Sequence, residues 1–119
     1  MTSRFTELVV DCSDPGRLAE FWGAVFDYKS IKEGDNGIFI EGPEGSGPGL
    51  LFLRVPESKE AKNRLHIDVS PRDREQEEEV ARILELGART IDIGQGEQSW
   101  VVMADPEGNE FCVLRTKRP

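Results

Sequence analysis

The chain has 119 residues, of which 37% are hydrophobic and 32% are charged, and its formal net charge is −8. No apolar run approaches the roughly 20 residues that cross a bilayer, and the chain does not open with the basic and apolar regions of a secretory signal. The acidic balance argues against nucleic acid as a partner, because phosphate contacts need a basic surface. Cys12 and Cys112 each lie in an apolar run, so we interpret them as buried thiols of a cytoplasmic protein.

The first half of the chain predicts one strand, one helix and then three strands. Phe5–Cys12 has the alternation of a half-buried strand. Asp14 is a predicted helix N-cap, and Pro15 takes the first helical position. The next apolar residues follow at the spacing of one helical stripe: Leu18, Phe21, Trp22 and Val25. Three further strands are predicted at 28–31, 37–40 and 50–55, with a loop rich in glycine and proline at 41–49.

The second half predicts the same order of elements after a polar linking segment at 56–62. Residues 63–69 alternate between polar and apolar, contain the only histidine, His66, and predict a strand. Asp73 and Gln76 resemble a capping box that opens a helix. We expect the acidic run 75–79 to be a solvated face, and Gly87 to follow the last turn. The predicted buried stripe comprises Val80, Ile83 and Leu84, and the last strands are predicted at 89–93, 99–103 and 109–116.

The two halves repeat each other in detail. Glu7 lies seven residues before Asp14, and His66 lies seven residues before Asp73. Residues 41–45 also match residues 104–108, since each Gly-Pro-Glu-Gly or Asp-Pro-Glu-Gly segment stands between two strands. We predict one domain made of two β-α-β-β-β modules, at about 1–56 and 63–119.

Three segments, in this order and spacing, resemble the vicinal oxygen chelate superfamily of glyoxalases, bleomycin-resistance proteins and dioxygenases, and within it the glyoxalase-like domain branch. They are Leu18–Trp22, His66–Val69 and Ala104–Asn109. The resemblance implies an α+β fold in which two tandem β-α-β-β-β modules form an open, curled, eight-stranded mixed sheet around a cleft. It also implies a small-molecule ligand and a homodimer.

Metal-using relatives hold a divalent ion with four inward side chains, usually His and Glu. The resemblance places these ligands at Glu7, Leu51, His66 and Cys112. Leucine cannot ligate, and cysteine favours softer ions than the family's oxygen-rich sites. Glu110 lies on the same strand face as Cys112 and could reach the centre instead. If a divalent metal is bound, the predicted ligands are therefore Glu7, His66 and Glu110.

Strand alternation predicts that several ionisable side chains face one concavity, and such a cluster needs a cation, a proton or a basic group to compensate it. Arg54 is a candidate for that role, whereas Asp11 and Asp68 could instead be solvated at strand ends. His66 could be a metal ligand or general base, or it could be hydrogen-bonded to Glu7 or Asp68. The predicted cleft residues are Glu7, Asp11, Arg54, His66, Asp68, Trp100, Glu110 and Cys112.

The sequence leaves two main functions open. The first is a protein of the bleomycin-resistance type that binds a small organic molecule in the cleft and has a degenerate metal site. The second is a metal-dependent lyase, isomerase or dioxygenase acting on a substrate with adjacent oxygens. Leu51 at a ligand position favours the first. A weaker alternative is an accessory domain that works with a separate partner.

Overall fold

The computed structural model describes residues 2–119, and in that range the chain forms two helices and eight strands. In chain order these are β1 (Glu7–Cys12), α1 (Pro15–Phe26), β2 (Ser30–Glu33), β3 (Gly37–Glu41), β4 (Gly49–Arg54), β5 (Ile67–Val69), α2 (Gln76–Leu86), β6 (Arg89–Thr90), β7 (Val101–Ala104) and β8 (Glu110–Val113). Neither helix has the length and apolar character needed to span a membrane. The chain divides into two compact units, one ending at Ser58 and the other comprising Lys59–Pro119.

The first unit is a four-stranded mixed sheet in the order β1-β4-β3-β2. β1 pairs in parallel with β4, so Glu7 lies opposite Gly49, while the other pairs are antiparallel. A parallel pair needs a crossover connection, and α1 with the β2–β3 hairpin provides it. The sequence prediction of one strand, one helix and three strands is confirmed for this unit.

Helix α1 has the predicted ends and the predicted buried stripe. The Asp14 carboxylate accepts a hydrogen bond from the Arg17 amide at 3.2 Å, and Pro15 occupies the first turn. The helix ends at Phe26, and its C-cap Asp27 has a left-handed backbone with φ 58°. All four residues of the predicted stripe are buried, and the helix packs on β3 and β4. Trp22 meets Phe21 edge to face, with ring centroids 5.1 Å apart.

The second unit repeats this topology with the order β5-β8-β7-β6. β5 and β8 are parallel, and the other two pairs are antiparallel. The paired β-α-β-β-β prediction and the α+β class are therefore confirmed, with the eight strands divided into two sheets of four. The core of this unit includes Val69, Ile83, Met103, Phe111 and Val113.

The predicted start of the second helix is two residues too early, since the N-cap is Glu75 rather than Asp73. The helix begins at Gln76, and the Glu75 amide donates to the Glu78 carboxylate at 3.0 Å, so this pair supplies the contact expected of Asp73 and Gln76. Gln76 instead enters the interior, where its amide nitrogen donates to the carbonyls of Ser99 and Val113. Hydrogen bonds to the carbonyls of buried Val113 and of exposed Ser99 thus hold the first turn in position.

The predicted buried stripe of α2 is also only partly right. Ile83 is buried, but Leu84 is exposed and the helix buries Glu79 in its place. The Arg82 guanidinium donates to both Glu79 carboxylate oxygens, at 2.8 and 3.0 Å. This bidentate pair offsets the cost of burying the carboxylate. The acidic run is therefore not a uniformly solvated face.

Several predicted strand ends differ from the structure by a few residues. β1 starts at Glu7 rather than Phe5, and β6 ends at Thr90 rather than Ile93. His66 lies just before β5, which starts at Ile67. Strand ends depend on where a pairing partner stops, and residues 93–99 have no such partner.

Candidate functional site in the second unit

One face of the second sheet carries polar side chains, and the other face carries the core. In the parallel pairing of β5 with β8, Asp68 lies opposite Cys112, whereas Ile67 lies opposite Phe111. Because side chains alternate along a strand, Asp68 and Cys112 share a face that excludes Phe111. His66, two residues before Asp68, projects to that same side. The period-two pattern of the sequence thus produces a polar face with one thiol.

Three side chains on this face form a compact cluster. The Nε2 atom of His66 lies 3.1 Å from the Oδ1 atom of Asp68. Donor atoms of His66, Asp68 and Cys112 all lie within 4.8 Å of one another. His66 and Asp68 are about half exposed, while Cys112 is buried. The sulfur of Cys112 therefore lies at the buried end of the cluster, while His66 and Asp68 face the solvent.

The thiol of Cys112 is held in its protonated form. Burial raises the pKa of Cys112, and the negative charge of Asp68 raises it further, while Lys62 opposes both effects. A nucleophilic cysteine needs a lowered pKa. Because its pKa is raised on balance, this thiol is poorly suited to nucleophilic attack.

Glu110 lies on the same face as Cys112 but is engaged by other groups. Its Oε2 atom lies 2.8 Å from the Lys59 ammonium, and its Oε1 atom accepts a hydrogen bond of 2.7 Å from the Asn63 amide. Burial disfavours the charged carboxylate, but the hydrogen bonds from Lys59 and Asn63 outweigh it, so the pKa of Glu110 is lowered. Use of Glu110 as a metal ligand would require it to leave the Lys59 ion pair.

A pocket of about 380 Å³ opens on this face, and we name it the His66 pocket. Its apolar lining comes from β7, from the loop before β7 and from the residue after β8: Val102, Ile93, Trp100 and Leu114. Its polar lining includes Lys62, His66, Asp68, Glu110 and Cys112. An apolar wall with a few convergent polar groups is the usual composition of a small-molecule site.

The turn before β8 sets where Glu110 and Cys112 stand. Asp105 is almost fully buried, and its Oδ1 atom accepts hydrogen bonds of 2.9 Å from the amides of Glu107 and Asn109. The Asn109 side chain also donates to the same carboxylate. Gly108 in this turn has φ 90°, a conformation that glycine adopts without strain. The Asp-Pro-Glu-Gly-Asn motif thus has a structural role at the entry to β8.

The remaining predicted site residues lie in the first unit. Glu7 starts β1 and is half-buried, and Asp11 is exposed on the same strand. Arg54 ends β4, where its guanidinium donates to the Ser13 carbonyl at 2.7 Å. Leu51 pairs with Val9 and Phe39 across the sheet. The shared hollow expected for Glu7 and His66 stays a prediction.

Sequence reasoning missed two contributions from the segment before β5. Residues 56–62 read only as a polar link, yet Lys59 supplies the counter-charge of Glu110 and Lys62 lines the His66 pocket. Ile93 was predicted to end a strand and instead belongs, with Gln95, to the loop that lines the pocket. The charge of Glu110 was a signal that a cation was needed, but nothing in the sequence indicated which one.

Comparison with known proteins decides the family. The profile of the glyoxalase-like domain matches residues 7–114. This chain belongs to the glyoxalase-like domain family. It is thus a vicinal oxygen chelate protein, as the sequence motifs predicted. No curated protein sequence matches the chain significantly.

Solved structures share the fold of this glyoxalase-like protein at low sequence identity. A mutant of the fosfomycin resistance protein FosX from Listeria monocytogenes, complexed with Mn(II) and 1S,2S-dihydroxypropylphosphonic acid, is 19% identical with a TM-score of 0.72, covering 99% of this chain and 93% of its own. FosX from Mesorhizobium loti is 16% identical with a TM-score of 0.71, covering 98% and 95%. A glyoxalase/bleomycin resistance protein/dioxygenase family enzyme from Burkholderia phytofirmans PsJN is 16% identical with a TM-score of 0.68, covering 93% and 97%. At these identities the likeness establishes the fold.

Proposed function

We propose that this glyoxalase-like protein binds a small organic molecule in the His66 pocket and holds it without chemical conversion. The observation that carries the proposal is the pocket itself, whose volume of about 380 Å³ lies in the range of ligand sites. The relatives of similar fold include proteins whose names refer to resistance against antibiotics, and sequestering such a compound requires only a pocket of adequate affinity.

The lining of the pocket indicates the chemistry of the ligand. Trp100 and Ile93 are partly exposed, so their apolar surface is available for contact. His66 and Asp68 together offer hydrogen-bonding groups at one edge. The charge of Glu110 is already neutralised by Lys59, so it places little demand on a ligand. We expect a molecule with a flat apolar body and one polar end.

The ligand set of the family's metal-using members supports binding over catalysis. Leu51 stands where the resemblance places one ligand and has no donor atom. Cys112 stands where it places another, and a thiolate is a poor match for the hard ions of oxygen-rich sites. Two of four positions therefore depart from the pattern of a metal-dependent enzyme.

A second candidate function is a metal-dependent lyase, isomerase or dioxygenase. The His66, Asp68 and Cys112 cluster favours it, because those three residue types all bind divalent ions. The FosX neighbour complexed with Mn(II) has the same fold. Turnover of a substrate with adjacent oxygens that stops with EDTA and returns with added metal would support this function over simple binding.

Calorimetric titration of a set of planar aromatic compounds, each carrying one polar group, tests the main proposal. Trp100→Ala should weaken the affinity of a bound compound by about tenfold or more, since a central aromatic contact contributes roughly 2 kcal/mol. Phe5→Ala is the matched control, because Phe5 is an exposed aromatic residue that does not line the pocket. The proposal is wrong if no compound binds, or if the two variants lose affinity equally.

A further inference from the structure

The turn between β2 and β3 contains the only Asn-Gly pair of the chain, Asn36-Gly37. We propose that Asn36 is a site of spontaneous deamidation, in which the Gly37 backbone nitrogen attacks the Asn36 side-chain amide. The product is an aspartate or isoaspartate in the first unit. The inference does not depend on the proposed ligand binding, since no residue of this turn lines the His66 pocket.

The modification needs water and no other reactant. The Gly37 nitrogen loses its proton to solvent and bonds to the Cγ atom of Asn36, and the side-chain amide takes up a proton and leaves as ammonia. Water then opens the succinimide ring. Opening at the side-chain carbonyl gives aspartate, whereas opening at the backbone carbonyl gives isoaspartate, in which the main chain runs through the former side chain. Both products carry a new negative charge.

The geometry of the turn leaves the attacking nitrogen without the bond that normally closes a hairpin. The pairing of β2 with β3 centres the turn on Asp35 and Asn36. Tight hairpin turns favour positive φ at the central residues, but neither of these two residues has it. The Gly34 amide donates to the Gly37 carbonyl at 2.9 Å, whereas within residues 2–119 the Gly37 amide makes no return bond to Gly34. The nucleophile is therefore open to solvent bases.

A neighbouring hydrogen bond activates the same peptide group. The Arg54 amide donates to the Asn36 carbonyl at 2.7 Å. When Gly37 loses its amide proton, resonance places negative charge on that carbonyl oxygen, so the bond from Arg54 stabilises the nucleophilic anion. The carboxylates of Glu33 and Asp35 oppose this effect, but both residues are exposed and their charges are screened by the solvent.

Packing against β4 keeps the reactive pair in place. Asn36 is exposed, so water reaches its amide and its side chain can rotate toward Gly37. Gly37 has no side chain to hinder the approach. A Cβ atom at that position would lie 2.8 Å from the Phe52 carbonyl oxygen, so the sheet itself requires glycine after Asn36.

The other two asparagines of the chain provide internal controls. Asn63 precedes Arg64 and Asn109 precedes Glu110, so in both cases the next residue has a side chain that hinders attack by its nitrogen. The Asn109 side-chain amide also donates to the two Asp105 carboxylate oxygens, at 3.2 and 3.0 Å, which holds it in place. Neither residue should deamidate at the rate of Asn36.

The test incubates the full chain at mildly alkaline pH and follows the acidic product by isoelectric focusing. Peptide mass spectrometry with electron-transfer fragmentation locates the change and distinguishes isoaspartate from aspartate. We expect Asn36 to deamidate at least about tenfold faster than Asn63 or Asn109. Asn36→Gln is the matched control, because it keeps an exposed amide but requires a less favourable six-membered ring. It should slow formation of the acidic product by at least about tenfold.

Two further measurements test the contribution of the structure. Isoaspartate removes the main-chain carbonyl that accepts from Arg54, so amide hydrogen exchange at Arg54 should be at least about tenfold faster in the isolated isoaspartate form than in the fresh chain. In urea the activating bond is lost with the fold, so unfolding should accelerate deamidation of Asn36 by no more than about tenfold. A larger acceleration would show that the fold protects Asn36 and would overturn the inference. Equal rates at Asn36 and Asn63, equal rates for the parent and Asn36→Gln, or unchanged exchange at Arg54 would also overturn it.

Discussion

The ion pair between Lys59 and Glu110 should contribute measurably to the stability of the second unit. Its side chains are only 19% and 12% exposed, and the charged atoms are 2.8 Å apart. Replacing Lys59 with methionine removes the cation, while Glu110 keeps its hydrogen bonds from the Asn63 amide and from its own backbone amide. We expect Lys59→Met to lower the free energy of unfolding by about 1.5–3 kcal/mol, the usual size for a hydrogen bond to a charged group.

Urea denaturation followed by circular dichroism and by tryptophan fluorescence measures this loss, and coincident transitions validate a single free energy. The matched control is Lys29→Met, because Lys29 and Asp27 form an ion pair whose side chains are more than 80% exposed. That control should change stability by less than about 0.5 kcal/mol. Equal losses for the two variants would refute the inferred contribution of burial.

The same ion pair has a predicted pH dependence. The pKa of Glu110 is lower in the folded chain than in the unfolded chain, because Lys59 and Asn63 stabilise its charged form. Its stabilising contribution is thus complete above the unfolded pKa of about 4.3 and is lost as the pH falls through the folded pKa. The stability difference between the parent and Glu110→Gln should shrink in that window. A difference that stays constant through it would contradict the assigned cause.

Three further predictions use the same denaturation measurement. Ile40→Ala should lower the free energy of unfolding by about 2–5 kcal/mol, because Ile40 is fully buried. Ile31 lies directly opposite it on β2 but is 56% exposed, so Ile31→Ala should lower that free energy by less than about 1 kcal/mol. Similar losses would refute the burial assignment. Gln76→Met should lower the free energy of unfolding by about 1–3 kcal/mol, because it leaves the buried Val113 carbonyl without its donor. A neutral effect would show that water replaces the amide. Asp105→Ala should lower the free energy of unfolding by about 1–3 kcal/mol. Asp105→Asn should lower it less, since asparagine keeps one acceptor oxygen for the turn amides. The reverse order would contradict the inferred role of those acceptors.

Local signals predicted the elements whose ends are set by neighbouring residues. Asp14 and Pro15 placed the start of α1 correctly, because capping acts within one turn of the helix. The same reasoning placed the second helix two residues early, since Gln76 is held by carbonyls of distant residues. Likewise, the pattern of α2 predicted Leu84 as buried, but the Arg82 pair allows Glu79 to take an interior position.

The candidate site was likewise predicted in part: the sequence indicated a shared face but not the contacts on it. Alternation along the strands predicted that His66, Asp68, Glu110 and Cys112 share a face, and the pairing of β5 with β8 places them there. The alternation could not say which of these groups meet. Lys59 neutralises Glu110, so the polar group left beside the thiol is the His66 and Asp68 pair.

The sequence by itself determined the duplicated β-α-β-β-β plan, the family and the alternating polar face, because these depend on periodicity and on short motifs. Only the tertiary structure decided the partners of the charged groups. Ion pairs such as that of Lys59 with Glu110 join residues far apart in the chain, and many pairings of 15 basic and 23 acidic residues satisfy the same composition. The strand register selects one of those pairings, since it fixes which side chains come within a few ångströms of each other.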